Sequence, residues 1–211
     1  GNIADFHAKA VQSLGNAKLA GICGTNPDKV KILATKYSCR VFNNTDEIIQ
    51  SSDVDIIIIA TPSGAHFVPT IEAAKNGKHV LCEKPLEISL ERIDLMIKEH
   101  EKNETKLGGI FNFRFNEAVR VLKNAVDSGR FGTITNASVF VPWWRNDEYY
   151  ESSWRGTWKL DGGGALMNQS IHMVDLLQYM VGPVESLQAF IATLGHPQIE
   201  VEDTSVAILK F

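Results

Sequence analysis

The chain has 211 residues, of which 44% are apolar, and its 21 basic and 25 acidic side chains give a formal net charge of −4. Against roughly 150 residues for a typical domain, this length indicates one large domain or one and a half. The acidic excess argues against binding to nucleic acid or to an acidic membrane surface, and no apolar stretch of the sequence approaches the roughly 18 residues of a membrane span.

Between residues 18 and 111, short apolar strands alternate with helices, which is the pattern of βαβ units and a parallel sheet. Strands are predicted at 18–23, 40–42, 54–60, 78–82 and 106–111, and helices at 27–37, after 45, at 65–76 and at 89–102. Asn26 and Thr45 are the predicted N-caps of the first two of these helices. The pattern predicts an α/β fold with a doubly wound Rossmann sheet, whose ligands bind at the carboxyl ends of the strands.

After about residue 112 the pattern changes. Residues 117–128 form an amphipathic helix pattern, and the segments 133–141, 184–192 and 204–211 alternate like antiparallel strands. An aromatic-rich loop at 143–158 and a helix opened by three glycines at 162–164 lie between them. We therefore expect a Rossmann domain over 1–112 and an α+β domain, built on a mostly antiparallel open sheet, over 113–211.

The two ends of the chain carry a further expectation. A helical pattern begins at once, and Gly1-Asn2-Ile3-Ala4 fits the second glycine and the closing alanine of a GxGxxA turn. We expect the first Rossmann strand, with the first glycine of that turn, and the later strands of the second domain to be absent from this chain. A signal peptide ahead of Gly1 stays open.

The cysteines Cys23, Cys39 and Cys82 are widely spaced and form no CxxC pair. The sequence therefore predicts neither a disulfide framework nor a zinc site. A reducing compartment, the cytoplasm, is the simpler expectation.

The choice between NAD and NADP stays open at the second strand. A carboxylate there would bind the adenosine ribose of NAD, but Gly24 occupies that position. No Arg or Lys follows directly to bind a 2′-phosphate, although Thr25 and Asn26 offer hydrogen bonds. Gly1, Asn2, Ile3 and Thr25 are the candidate cofactor residues in this part of the chain.

Lys84 is the first candidate for chemistry, because Glu83-Lys84-Pro85 follows a predicted strand directly. An ammonium group is costly to bury without partners, so a lysine at this edge indicates a group that stabilises an alkoxide or relays a proton. The alternative is a surface lysine paired with Glu83.

A second candidate group follows the three glycines. In one helix starting near Gly164, the side chains of Asn168, His172 and Asp175 would share a face, and histidine titrates near neutral pH. The alternatives are a solvated helix face or a buried, hydrogen-bonded histidine. A metal site is less favoured, because no other His or Cys lies nearby at ligand spacing.

Together these motifs resemble the glucose-fructose oxidoreductase, inositol dehydrogenase and MocA (Gfo/Idh/MocA) family. The resemblance rests on Glu83-Lys84-Pro85, Thr61-Pro62 with His66, the segment 112–115, Trp154-Arg155, and the three glycines with Asn168, His172 and Asp175. It implies that an N-terminal domain binds NAD or NADP and that Lys84 and His172 are catalytic, with Asn168 beside them. The implied cofactor residues are Thr61, Pro62, His66, Glu83, Lys84, Asn112, Trp154 and Arg155. The candidate substrate residues are Lys84, Arg114, Trp144, Arg145, Tyr149, Asn168, His172 and Asp175.

One position departs from the resemblance. The residue four before the histidine is often aspartate in this family, whereas this chain has Asn168. An amide can orient a hydroxyl group but supplies no negative charge, so His172 should be less basic than beside a carboxylate.

The predicted function is reversible hydride transfer between NAD(P) and a secondary hydroxyl of a sugar, cyclitol or sugar derivative. C3 of a pyranoside, an inositol and a nucleotide-linked sugar all stay open. A neutral sugar is slightly favoured, because no basic cluster beyond Arg145 and Arg155 indicates a diphosphate. The tryptophans of that loop either stack on the sugar or pack between the domains. The alternative function is a non-catalytic regulator that senses NAD(P) or a sugar. We expect a homodimer or homotetramer assembled through the C-terminal sheet.

Overall fold

The computed structural model describes residues 2–151 and 154–211. Gly1 and the side chain of Asn2, both expected to contact the cofactor, lie outside the described part of the chain. The chain divides into two compact units. The first comprises Gly1–Thr61, Ala65–Glu83 and Leu90–Gly109, and the second Pro62–Gly64, Lys84–Ser89 and Ile110–Phe211.

The first unit is an alternation of strands and helices. Its strands are β1 (Gly21–Ile22), β2 (Arg40–Val41), β3 (Ile56–Ile59), β4 (His79–Cys82) and β5 (Leu107–Gly109). Its helices are α1 (Asn2–Gln12), α2 (Pro27–Lys36), α3 (Thr45–Gln50), α4 (Phe67–Lys75) and α5 (Leu90–Lys102). All described pairs of these strands are parallel: β1 pairs with β2, and β3, β4 and β5 are neighbours in that order. The predicted parallel Rossmann sheet is confirmed, with shorter strands than the apolar pattern suggested.

β3 and β4 both carry buried side chains, and β4 lies between β3 and β5. Ile57 and Ile59 of β3 and Val80 and Cys82 of β4 are each at most 7% exposed, and Ile59 lies opposite Cys82 in the ladder. The two strands therefore end at the same edge, where the polar segments beginning at Thr61 and Glu83 follow them.

Of the two predicted helix N-caps, one is confirmed and one is wrong. Asn26 caps α2 as predicted, because its side-chain oxygen accepts a hydrogen bond from the Lys29 N–H at 3.0 Å. The prediction of Thr45 as the cap of α3 is wrong: Asn44 has the extended backbone of an N-cap and accepts from the Glu47 N–H at 2.8 Å. Thr45 is already the first helical residue.

The second unit mixes helices with an antiparallel ladder. After a 3₁₀ turn (Asn112–Phe115) come α6 (Glu117–Asp127), α7 (Asp147–Tyr150), a π-helix (Ala165–Gln169), α8 (Ile171–Val181), β6 (Ser186–Ala192) and β7 (Thr204–Lys210). β6 and β7 pair antiparallel from Ser186 opposite Lys210 to Ala192 opposite Thr204, as predicted. The expected strand at 133–141 forms no ladder with any described segment, because alternation sets the two faces of a strand but hydrogen bonding needs a neighbouring backbone.

None of the helices in the described part of the chain combines the length and the apolar character that a membrane span requires.

Candidate functional site

Lys84 lies two residues after β4 and contacts Asn168, which is 84 positions further along the chain. Its Nζ atom donates hydrogen bonds to the backbone oxygen of Asn168 at 2.9 Å and to the side-chain Oδ1 at 3.3 Å. The lysine is half-buried. Two of the catalytic candidates from separate motifs are thus in direct contact within the second unit.

Asn168 is held on its other side by Asp161. The Asn168 amide nitrogen donates to Asp161 Oδ1, and the Gly156 N–H donates to Asp161 Oδ2 at 2.9 Å. Asp161 is only 2% exposed. Burial raises the pKa of this carboxyl above its ordinary value, although the hydrogen bonds from Gly156 and Asn168 and the nearby positive charges oppose the shift. Asp161 was not among the predicted site residues, although its place directly before the three glycines was a signal for it.

The three glycines allow a close approach of the segment around Glu202. Gly162 has a positive φ of 77°, and a Cβ atom on Gly164 would lie 1.7 Å from the Glu202 backbone oxygen. The buried Glu202 carboxylate accepts from the N–H groups of Gly164 and Leu166, each at 2.9 Å. Glu202, another residue that the sequence analysis missed, therefore fixes the start of the segment that carries Asn168.

The prediction of one continuous helix from Gly164 is wrong. A π-helix covers Ala165–Gln169, with the Ser170 N–H bonded to the Ala165 oxygen at 2.8 Å, and α8 begins at Ile171. The wider turn interrupts the 3.6-residue period on which the shared face depended. Asn168, His172 and Asp175 accordingly contact different partners.

His172 packs against the 3₁₀ turn. Its ring stacks on Phe113 with centroids 4.5 Å apart and planes 13° apart, and it meets the edge of Phe111 at 6.3 Å. The adjacent Arg114 forms a two-pronged ion pair with Asp175, through Nε to Oδ2 at 2.7 Å and through Nη2 to Oδ1. Arg114 and Asp175, expected to contact substrate, thus bind each other and hold the turn that positions the His172 ring.

The aromatic loop brings its two arginines to one tyrosine. The guanidinium carbons of Arg155 and Arg145 lie 3.9 Å and 5.2 Å from the centre of the Tyr149 ring. Among the described residues, Arg145 Nε, Arg155 Nε and Gln169 Oε1 are buried and lack a hydrogen-bond partner.

A cavity of about 250 Å³ opens beside this loop. It is lined by Val141, Pro142, Trp143, Trp144, Arg145, Tyr150, Gln169, Gly195, His196, Asp203 and Thr204. The His196 ring lies against Trp144 at 4.4 Å and bonds Asp203 at 3.0 Å through Nδ1. Trp154, expected to line the cofactor, contacts Arg155 within the same unit.

The cofactor candidates of the first unit lie at the strand ends. Thr61 is exposed just after β3, its hydroxyl donates to the Ala65 oxygen at 3.2 Å, and its carbonyl bonds His66 Nε2 at 2.9 Å. His66 is 1% exposed and so braces this turn. The Glu83 carboxylate lies 2.7 Å from Nε2 of His7 in α1.

The remaining cofactor candidates have few described contacts. Thr25 is exposed beside the α2 cap and Ile3 is 42% exposed, whereas Pro62 is half-buried and Asn112 is exposed, both in the second unit. An exposed threonine and a glutamate at adjacent ends of parallel strands fit the edge at which such sheets bind dinucleotides. Within the described residues, no group of three His, Cys, Asp or Glu side chains is placed to hold a metal ion.

Similarity to known proteins agrees with this geometry. Residues 1–110 match the profile described as "Oxidoreductase family, NAD-binding Rossmann fold", and residues 119–211 match that of the GFO/IDH/MocA C-terminal domain. One similar solved structure is the crystal structure of the WlbA dehydrogenase from Bordetella pertussis in complex with NADH and UDP-GlcNAcA. Its sequence is 40% identical to this chain, and the two structures superpose with a TM-score of 0.95. The match covers 100% of this chain and 61% of the WlbA chain.

Two curated relatives are more distant. Glucose-6-phosphate 3-dehydrogenase of Bacillus subtilis is 30% identical over 185 residues, covering 85% of this chain and 51% of the relative. Myo-inositol 2-dehydrogenase of Thermotoga maritima is 29% identical over 221 residues, covering 100% and 63%. The chain thus spans about half to three-fifths of the length of the relatives it matches. With both profiles matched in order over nearly all of its residues, the chain belongs to the Gfo/Idh/MocA oxidoreductase family.

Proposed function

We propose that the protein transfers a hydride reversibly between NAD(P) and a secondary hydroxyl of a sugar or sugar derivative. The observation that carries this proposal is the contact of Lys84 Nζ with both oxygens of Asn168, at 2.9 and 3.3 Å. A lysine ammonium group fixed in position by the oxygens of Asn168 can stabilise a developing alkoxide by its charge. Relatives named as dehydrogenases of glucose 6-phosphate and myo-inositol support the reaction class.

Each candidate residue has a separate role in the proposed reaction. A bound NAD(P) supplies the hydride acceptor. His172 takes the hydroxyl proton, and its ring is kept in one orientation by stacking on Phe113. Lys84 stabilises the alkoxide by charge, and Asn168 holds the lysine and orients the substrate hydroxyl. Thr61 and Glu83 bind the dinucleotide at the strand ends of the first unit, where the buried His66 holds the turn after β3 in place.

For the cofactor we propose NAD, because the 40% identical WlbA structure contains NADH and no basic residue directly follows β1 to bind a 2′-phosphate. Titration of NADH and NADPH by fluorescence measures this preference. Tighter binding of NADPH would contradict it.

For the substrate we propose a sugar with an anionic substituent, in place of the neutral sugar that the sequence slightly favoured. A nucleotide-linked uronate of the UDP-GlcNAcA type is the leading candidate. The identity to WlbA, whose structure contains UDP-GlcNAcA, supports this choice. So does the approach of Arg145 and Arg155 to the same ring, since arginine binds carboxylates and phosphates through paired N–H groups.

The test is a substrate panel with the full-length protein, scored by NADH absorbance. UDP-GlcNAcA, glucose 6-phosphate, myo-inositol and levoglucosan form the panel. We expect turnover of UDP-GlcNAcA with the highest kcat/KM. A preference for a neutral sugar would contradict the substrate proposal, and tight NADH binding without turnover of any panel member would favour a regulator instead.

The C-terminal sheet is proposed as the surface of a homodimer or homotetramer. Phe190, Val206 and Ile208 of the β6–β7 ladder are 83%, 66% and 75% exposed, which is unusual for large apolar side chains in a sheet. Light scattering on the full-length protein measures the assembly, and a monomer at micromolar concentration would contradict it.

A further inference from the structure

The proposed mechanism gives no role to the Asp161 carboxylate, although Asn168 links it to Lys84 by hydrogen bonds. It is 2% exposed, and burying an ionised carboxylate costs free energy unless hydrogen bonds and charges compensate. Its two oxygens accept from the Gly156 N–H at 2.9 Å and from the Asn168 amide. The two contacts tie it to the loop behind the site and to the residue that holds Lys84.

The charged groups around Asp161 favour its ionised form. Arg155 and Lys84 are the nearby cations that act on it, and Tyr150 is the titratable neighbour whose own ionisation it opposes. Burial nevertheless raises the pKa of Asp161. A carboxyl group with a raised folded-state pKa stabilises the fold only at low pH, and this contribution is lost as the pH rises through that pKa. At neutral pH the ionised Asp161 therefore does not stabilise the fold through its charge.

The chemistry of the amide explains what the carboxylate does instead. A side-chain amide has one accepting oxygen and one donating nitrogen, whereas an ionised carboxylate only accepts. Asp161 therefore requires the Asn168 nitrogen to point toward it, which leaves the Asn168 oxygen facing Lys84 Nζ, 3.3 Å away. An uncharged residue at position 161 with its own NH₂ group would favour the opposite orientation and place an NH₂ group against the lysine.

We propose that Asp161 is a positioning residue, which orients the Asn168 amide toward Lys84 and places one negative charge behind that pair. This proposal rests on the proposed function, because it gives the Lys84–Asn168 contact a role in hydride transfer. Asp161 acts through Asn168 and does not itself contact the reacting atoms.

The test uses three variants of the full-length protein, which together move the carboxylate from position 161 to position 168. In Asp161→Asn, the new amide oxygen still accepts from the Gly156 N–H. The side-chain amide of Asn168 then rotates, so that its NH₂ group faces Lys84. We expect kcat to fall about tenfold or more, as for a misplaced catalytic group, with a smaller change in KM. Asn168→Asp places two carboxylates side by side and lowers kcat as well. The double variant Asp161→Asn/Asn168→Asp restores one carboxylate, a donor facing it and an acceptor for Lys84, so most of the lost kcat returns.

Two further readouts separate positioning from a structural role. Competitive acetylation of Lys84 by acetic anhydride, followed by mass spectrometry across pH, reports its charge without any turnover. We expect the labelling midpoint to move to lower pH in Asp161→Asn and to return in the double variant. The pH profile of kcat/KM shifts in the same direction.

The outcomes are distinct. Unchanged kcat and unchanged Lys84 labelling in Asp161→Asn overturn the proposal, as does a double variant whose loss equals the product of the two single losses. Should Asp161→Asn fail to fold, the same decision comes from comparing Asn168→Asp with the double variant. A wild-type protein inactive on every sugar refutes the proposed function alone, because the acetylation profile still tests the contact between Asp161, Asn168 and Lys84.

Discussion

Replacing Gly164 by alanine tests whether the close approach of Glu202 builds the site. A Cβ atom at Gly164 would lie 1.7 Å from the Glu202 oxygen and 2.7 Å from its carbonyl carbon. Both contacts are with backbone, which cannot rotate away as a flexible side chain can. The same Glu202 oxygen accepts from the Ala165 N–H at 2.8 Å, so relief of the clash breaks this bond.

The expected loss combines two terms. Overpacking of a tight interior typically costs about 1–3 kcal/mol, and the lost hydrogen bond adds about 0.5–1.5 kcal/mol. We expect Gly164→Ala to lower the free energy of unfolding by about 2–4 kcal/mol. Gly15→Ala is the matched control, because nothing lies within 4 Å of its Cβ position.

Urea unfolding followed by circular dichroism measures the two variants side by side. Because the π-helix carries Asn168, kcat should fall in Gly164→Ala even where the protein is fully folded. A Gly164→Ala protein as stable and as active as Gly15→Ala would refute the reasoning.

Two other substitutions give independent tests. Burial opposes the ionisation of Asp203. Hydrogen bonds from the N–H groups of Leu194 and Gly195, and from Thr204 and His196, nevertheless hold its pKa well below the usual range. The stability that this carboxylate contributes is present above the unfolded-state pKa of about 3.9 and is lost on further acidification. Wild-type protein should therefore lose unfolding free energy below about pH 4 more steeply than Asp203→Asn, and equal slopes in urea titrations would contradict this. Arg145→Met should raise the KM for UDP-GlcNAcA about tenfold with little change in kcat, since charge-assisted hydrogen bonds contribute about 1.5–3 kcal/mol; an equal effect on a neutral sugar would show that Arg145 does not bind the anionic group.

The sequence predicted those parts of the molecule that depend on local pattern. Apolar segments marked β3 and β4, and Asn26 marked the start of α2, because burial and capping act over a few residues. Lys84 and His172 were selected as catalytic candidates by their motifs. The sequence alone did not show that Lys84 contacts Asn168, since that contact joins segments 84 positions apart.

Two features escaped the sequence analysis for physical reasons. The π-helix is invisible to a 3.6-residue pattern, and it separates Asn168 from the face expected to carry His172 and Asp175. Asp161 and Glu202 are acidic residues that usually lie at the surface, yet here both are at most 5% exposed. Their burial follows from the close packing of the glycine segment, which only the folded chain reveals.

The central claim, that Lys84 acts on the reacting hydroxyl and does not merely bind cofactor, is tested most directly by Lys84→Met in the full-length protein. Steady-state kcat with the sugar that the wild type turns over is compared with the Kd for NADH measured by fluorescence, and the exposed Lys159→Met serves as the control. We expect a loss of kcat of about a hundredfold or more, with the Kd for NADH within about threefold of the wild-type value. Equal losses of kcat and of NADH affinity, or no loss of kcat, would contradict it.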